Sequence, residues 1–105
     1  LNKSDYESSA KILRNYTKQN PTDFLAFYYL GLALDRQCDK RNAEIAYKSS
    51  VALDGKFPDS RMRLADVLLR RGKLGEAEMH AEKSVELDAG NAEAYYLLGA
   101  LNLRL

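Results

Sequence analysis

The chain is 105 residues long, 46% hydrophobic and 30% charged, which is one globular domain's worth at most and excludes disordered or fibrous sequence. Sixteen basic against fifteen acidic residues leave a formal net charge of +1, so the basic excess that nucleic-acid binding requires is missing. A single cysteine, Cys38, excludes an intrachain disulfide and, with one histidine, His80, leaves too few ligands for a cysteine–histidine zinc site.

Tyr6, Ser9, Leu13 and Tyr16 recur at helical spacing, and Asn20-Pro21 closes the segment, which predicts a helix over 4–19. Phe24, Phe27, Leu30 and Leu34 share one face of a second helix over 23–37, with Asp23 or Thr22 as N-cap. The pattern breaks at Cys38-Asp39-Lys40, and Ala43, Ala46, Tyr47, Ser50, Val51 and Leu53 form a new stripe over 40–53. Leu64, Val67 and Leu68 mark a helix over 58–71, which ends at Arg71-Gly72-Lys73, where Gly72 can adopt the left-handed conformation. Cys38 holds the equivalent place one turn-motif earlier, so that turn either avoids the left-handed region or carries mild strain. Ala77, Ala81, Val85 and Leu87 give a helix over 74–87, and 91–104 gives the sixth. The cluster Arg61, Arg63, Arg70, Arg71 and Lys73, interleaved with Asp59 and Asp66, reads as mixed surface charge. No strand pattern appears. No apolar run approaches the roughly 18 residues of a membrane helix, so no direct membrane insertion is expected.

The phrase AFYYLGLALDRQ at Ala26–Gln37 returns as AYYLLGALNLRL at 94–105, a distance of 68, or twice 34. Sliding 24–57 onto 58–91 gives nine identities: Leu30/Leu64, Leu34/Leu68, Arg36/Arg70, Ala43/Ala77, Glu44/Glu78, Ser50/Ser84, Val51/Val85, Leu53/Leu87 and Asp54/Asp88. An ungapped repeat of this period signals stacked helical hairpins. Small residues at Gly31, Ala65, Gly99, Ala43 and Ala77 would let paired helices approach closely, while Leu30, Leu64 and Leu98 fill the space between units.

Phe27-x2-Leu30-Gly31-x2-Leu34 followed by Ala43-x3-Tyr47 resembles the tetratricopeptide repeat. Arg61-x2-Leu64-Ala65-x2-Leu68 with Ala77-x3-Ala81 is a looser copy, and Tyr95-x2-Leu98-Gly99 matches until Asn102. Gly55 and Ala89 stand where the family has proline. The resemblance covers essentially the whole chain. It implies an all-α, right-handed superhelical array of antiparallel helix pairs, divided into a half repeat (1–23), two repeats (24–57 and 58–91) and a second half repeat (92–105). Since the chain opens mid-pattern at Leu1 without an initiator methionine, it is read as an excerpt of a longer protein.

The resemblance also implies that first helices line a concave groove. The groove-facing columns would be Leu25/Asp59/Glu93, Tyr28/Met62/Tyr96, Leu32/Asp66/Ala100 and Asp35/Leu69/Leu103, with Tyr29/Arg63/Leu97 beside them. Tyr28, Met62 and Tyr96 sit off the packing stripe, and aromatic and Met side chains suit an adaptable peptide-binding surface. The expected contacts for a protein or peptide partner are these three with Arg63, Arg70, Asp59, Asp66 and Glu93 setting polarity. Covering of the inner helix face is the alternative role for Tyr28 and Tyr96. The column Arg36/Arg70/Arg104 admits two readings, helix capping and a cation ladder for an acidic segment. A variant of the family grips chaperone C-termini with Lys, Asn and Arg; here the corresponding places hold Tyr28, Leu32, Arg63, Glu93 and Leu97, so chaperone-tail binding is not expected.

No phosphate loop, metal-ligand cluster or nucleophile elbow is present, and neither catalysis nor a cofactor is expected. His80 reads as a surface or boundary residue and Cys38 as a half-buried turn residue. Two further roles compete with the scaffold: self-assembly to a homo-oligomer through open ends that carry Leu101, Leu103 and Leu105, and service as the non-catalytic arm of an enzyme.

Overall fold

In a computed structural model, which describes residues 3–104, the chain forms six helices and no strand among those residues. They are α1 (Lys3–Gln19), α2 (Phe24–Arg36), α3 (Lys40–Leu53), α4 (Pro58–Arg70), α5 (Leu74–Leu87) and α6 (Ala92–Arg104), each within a residue of its sequence-derived bounds. No helix of the described residues is long and apolar enough to cross a membrane.

Local chemistry sets the boundaries. The Asp23 carboxylate accepts from the Ala26 amide at 3.2 Å, and 68 residues later Asn91 Oδ1 accepts from the Ala94 amide at 3.3 Å, so two first helices carry equivalent N-caps. Between them α4 starts on Pro58, whose fixed φ and missing N–H suit the first helical position without a side-chain cap. Tyr16 donates its hydroxyl to Asp23 Oδ2 at 2.9 Å, tying the end of α1 to the start of α2. That hydrogen bond, and then the nearby carboxylate charge, hold the exposed Tyr16 phenol above its usual range.

The turns after α2 and α4 are copies of one another. Cys38 donates to Asp35 O at 2.9 Å and Asp39 to Leu34 O at 3.0 Å; Gly72 donates to Leu69 O at 3.0 Å and Lys73 to Leu68 O at 2.8 Å. This is the paired 5→2 and 6→1 pattern that satisfies the last carbonyls of a helix, and it requires a left-handed residue. Gly72 takes φ 78 without penalty, whereas Cys38 takes φ 63 with a Cβ. The strained alternative is therefore the one adopted, because the two closing hydrogen bonds outweigh the steric cost. Cys38→Gly is expected to raise stability by about 1 kcal/mol, read as a higher urea midpoint with unchanged slope.

The chain divides into two compact units, residues 1–54 and 55–105. In the first, α2 packs against both α1 and α3. Its core holds Ala10, Leu30, Leu34, Ala43, Ala46 and a fully buried Tyr47. Gly31 is where α2 and α3 meet: a Cβ there would run into the Tyr47 ring. In the second, α5 packs against α4 and α6, and α4 also meets α6. Leu64, Ala65, Val67, Leu68, Ala77, Ala81, Ala94 and Leu101 have no exposed surface. Leu101 is thus core rather than an open apolar end, and Leu105 lies outside the described residues. Equivalent hydroxyls tie each hairpin: Ser50 Oγ donates to Phe24 O at 2.9 Å, and Ser84 Oγ to Pro58 O at 3.2 Å.

Cys38 is exposed rather than half-buried, and two further expectations change. His80 is buried, 8% exposed, rather than at the surface, because its ring faces Arg61. Arg61 is likewise not plain surface charge: Nε donates to Gly55 O at 3.1 Å and Nη1 lies 3.2 Å from His80 Nδ1. A guanidinium can only donate, so His80 accepts at Nδ1 and carries its proton on Nε2. The pair pins the α3–α4 connection's Gly55 and the α5 face to α4, a structural use for both residues.

A candidate peptide-binding cleft between the fourth and sixth helices

Within the second unit, one face of α4 and one of α6 border a cleft of about 390 Å³ lined by Met62, Arg63, Asp66, Leu69, Glu93, Tyr96, Leu97 and Ala100. Helical spacing explains the set. Met62, Asp66 and Leu69 fall at i, i+4 and i+7 on α4, while Glu93, Tyr96 or Leu97, and Ala100 do the same on α6. Met62, Leu69 and Leu97 form a floor that is nearly closed to solvent, whereas Tyr96 stands 78% exposed above it. Large apolar surface held open on a soluble domain marks contact sites more often than ordinary surface.

The polar rim is mixed in sign. Arg70 Nη2 lies 3.0 Å from Asp66 Oδ2, an i,i+4 pair on one helix face. Both side chains are more than a third exposed, so the pair contributes a few tenths of a kcal/mol at most. Arg70 is therefore occupied laterally by Asp66, an arrangement that neither the capping nor the cation-ladder reading included. Of the cleft's ionisable residues only Arg63 is a cation, against Asp66 and Glu93.

Five of the eight expected contact residues, Met62, Arg63, Asp66, Glu93 and Tyr96, thus line one cleft, and Arg70 reaches it through Asp66. Asp59 is half-buried on the first turn of α4 and does not line it. Tyr28 belongs to the first unit and is 8% exposed, not off the packing stripe as expected. Its ring sits 5.3 Å from Tyr29, edge-on, and 6.3 Å from Tyr47, because Gly31 leaves room for the Tyr47 ring to cross the helix beside it. Met62, at 7%, is likewise drawn into the packed face. Leu69, Leu97 and Ala100 complete the cleft; the 34-residue register places them in groove columns, but only the geometry shows them sharing a floor. No group of three or more His, Cys, Asp or Glu able to hold a metal ion occurs among the described residues.

The tetratricopeptide repeat model matches this chain twice, over residues 1–60 and 32–92. Among solved structures, the Yersinia enterocolitica type III secretion chaperone SycD in complex with a peptide of the translocator YopD is similar over 96% of this chain and 82% of its own, at 25% identity and a TM-score of 0.86. The first TPR of Spaghetti (RPAP3) bound to the HSP90 peptide SRMEEVD matches 96% of this chain and 80% of its own, at 21% identity and a TM-score of 0.92. The second TPR domain of human RPAP3, in complex with the HSP70 peptide SGPTIEEVD, matches 94% and 82%, at 21% identity and a TM-score of 0.89. The last two likenesses establish fold alone. Among curated proteins no match is found. With paired helices at a 34-residue period, equivalent turns in successive copies, and the repeat model matching across residues 1–92, this chain belongs to the tetratricopeptide repeat family.

Proposed function

We propose that this chain is a non-catalytic protein–protein interaction scaffold that holds a partner segment in the α4–α6 cleft. The observation carrying this reading is Tyr96, exposed beside a floor of Met62, Leu69 and Leu97. An apolar anchor side chain of the partner packs on that floor with the Tyr96 ring against it, and Arg63 and Glu93 hydrogen-bond the partner's backbone or polar side chains. The SycD relative, whose structure contains a translocator peptide, supports a peptide as the occupant.

The rim also bears on which peptide. An acidic C-terminal tail would meet Asp66 and Glu93, whose two charges Arg63 and the Asp66-paired Arg70 no more than balance. A segment with an apolar anchor and a neutral or basic flank fits instead.

The test begins with a displayed-peptide selection against the 105-residue chain, followed by titration calorimetry of the selected peptide. Tyr96→Ala is expected to weaken binding by about tenfold or more, the range of an interface anchor. Its thermal midpoint should not move, because the ring is mostly in solvent. Equal affinity for both chains would remove the cleft as the binding site.

A further inference from the structure

The second helices of the two hairpins, α3 and α5, each expose one stripe, and the 34-residue register makes the stripes comparable. On α3 it runs through Arg41, Ile45 and Lys48; on α5 the same positions hold Gly75, Met79 and Glu82. The middle of each is apolar and open, Ile45 at 54% and Met79 at 55%. Both helices are interior, each preceded and followed by another described helix.

Around this shared apolar centre the charge has opposite sign. α3 carries three cations, Lys40, Arg41 and Lys48, against one anion, Glu44. α5 carries four anions, Glu76, Glu78, Glu82 and Glu86, against one cation, Lys83. Part of that charge is engaged locally: Lys48 lies 2.9 Å from the buried Glu44, and Lys83 lies 3.3 Å from Glu86. The second pair is an exposed one and holds its partners weakly. Lys40 and Arg41 on α3, and Glu82 and Glu86 on α5, therefore set the outward sign of the two surfaces, and all four are exposed.

The shapes also match. Beside Ile45 the first unit has a slot of about 130 Å³, floored by Phe27, Leu30 and Leu34 of α2 and edged by Asn42 and Ser49 of α3. The ionisable residue on its lining is Arg14, a further cation. Met79 is the corresponding knob, an unbranched and flexible side chain of the kind that fills irregular apolar gaps. One turn before it Gly75 has nothing within 4 Å of where a Cβ would stand, so no side chain screens Met79 from that direction. Glu76 and Glu82, three residues to either side, flank it on the helix face. An acid-flanked knob and a cation-flanked slot thus occur on one chain.

We infer that a second copy of this chain is the occupant of the slot: Met79 on α5 of one copy inserts beside Ile45 on α3 of the next, with the two helices antiparallel. With Ile45 opposite Met79, that direction brings Lys40 and Arg41 to Glu82 and Glu86 and lays the helix dipoles head to tail. The apolar pair excludes water from the middle, and the surrounding charges select the partner face and its direction. The inference goes beyond the peptide-binding reading and uses no residue of the α4–α6 cleft, so either can fail alone.

Sedimentation of the 105-residue chain from about 5 μM to about 1 mM tests it, since association is driven by concentration. The average mass should climb above 11.9 kDa, and climb less at about 0.5 M salt than at about 0.05 M, where exposed charges are poorly screened. Met79→Glu removes the knob and should raise the protein concentration needed by at least about tenfold. Lys40→Glu with Arg41→Glu makes both faces acidic, and Glu82→Lys with Glu86→Lys makes both basic. Each double variant alone should also need about tenfold more protein. Mixed in equal amounts, the two should associate as the unaltered chain does, because every acidic face then meets a basic one. Glutamate at the start of α3 and lysine towards the end of α5 both suit the helix dipole, so circular dichroism should be unchanged. If either pair loses helicity, Arg41→Glu and Glu82→Lys replace them as single changes at exposed positions. A constant monomer mass in the unaltered chain, association indifferent to Met79→Glu, or no recovery on mixing would each overturn the inference.

Discussion

Tyr47→Ala is expected to remove about 3–5 kcal/mol of stability, the range for truncating a buried aromatic, from a total of roughly 5–15. Tyr47 is the largest side chain in the chain with no exposed surface, and its ring fills the space between α3 and α2 that Gly31 leaves. Truncation leaves a cavity bounded by helix backbone, which cannot collapse without moving α2 on α3. Urea unfolding by far-ultraviolet circular dichroism measures the loss. A drop below about 1 kcal/mol would mean the ring is not a packing element, since surface substitutions stay near that size.

The second large effect is a contrast between two glycines in one register column. Gly31→Ala is expected to destabilise by about 1–3 kcal/mol, because its Cβ meets the body of a rigid, fully buried ring rather than a flexible end. Gly99→Ala, 68 residues on, is expected to stabilise by about 0.5–1 kcal/mol, since open space lies around it and alanine is the better helix former. Opposite changes in thermal midpoint, the fall for Gly31→Ala larger than the rise for Gly99→Ala, report the two outcomes. Combining Gly31→Ala with Tyr47→Ala should cost less than the sum of the singles, because removing the ring removes the collision. Additive losses would show that Gly31 answers to backbone preference alone.

The helices were legible because their signals are local and repeated. Apolar spacing, Asp23 as a cap, Gly72 as a stop and the 34-residue period each needed only a few neighbouring residues. Burial inside the first helices was less legible. Tyr28 and Met62 look like surface residues on a helical wheel drawn from Leu30 and Leu64, yet a first helix has neighbours on more than one side. Their shared column therefore mixes core with cleft, and within it only Tyr96 keeps its side chain in solvent. His80 and Arg61, 19 residues apart with no register partner of like chemistry, gave no sequence signal that they would meet. A repeat pattern reports what copies share, and this contact exists in one copy alone.

The two hydroxyl ties, Ser50 to Phe24 and Ser84 to Pro58, each close 26 residues of chain. Every such tie opens and closes inside one period, so inserting or deleting a 34-residue unit would cut none of them. Contacts this near in sequence also cost little chain entropy to form, which favours rapid folding. The same economy makes length an easy character for evolution to change: a copied unit brings its own cap, turn and tie with it.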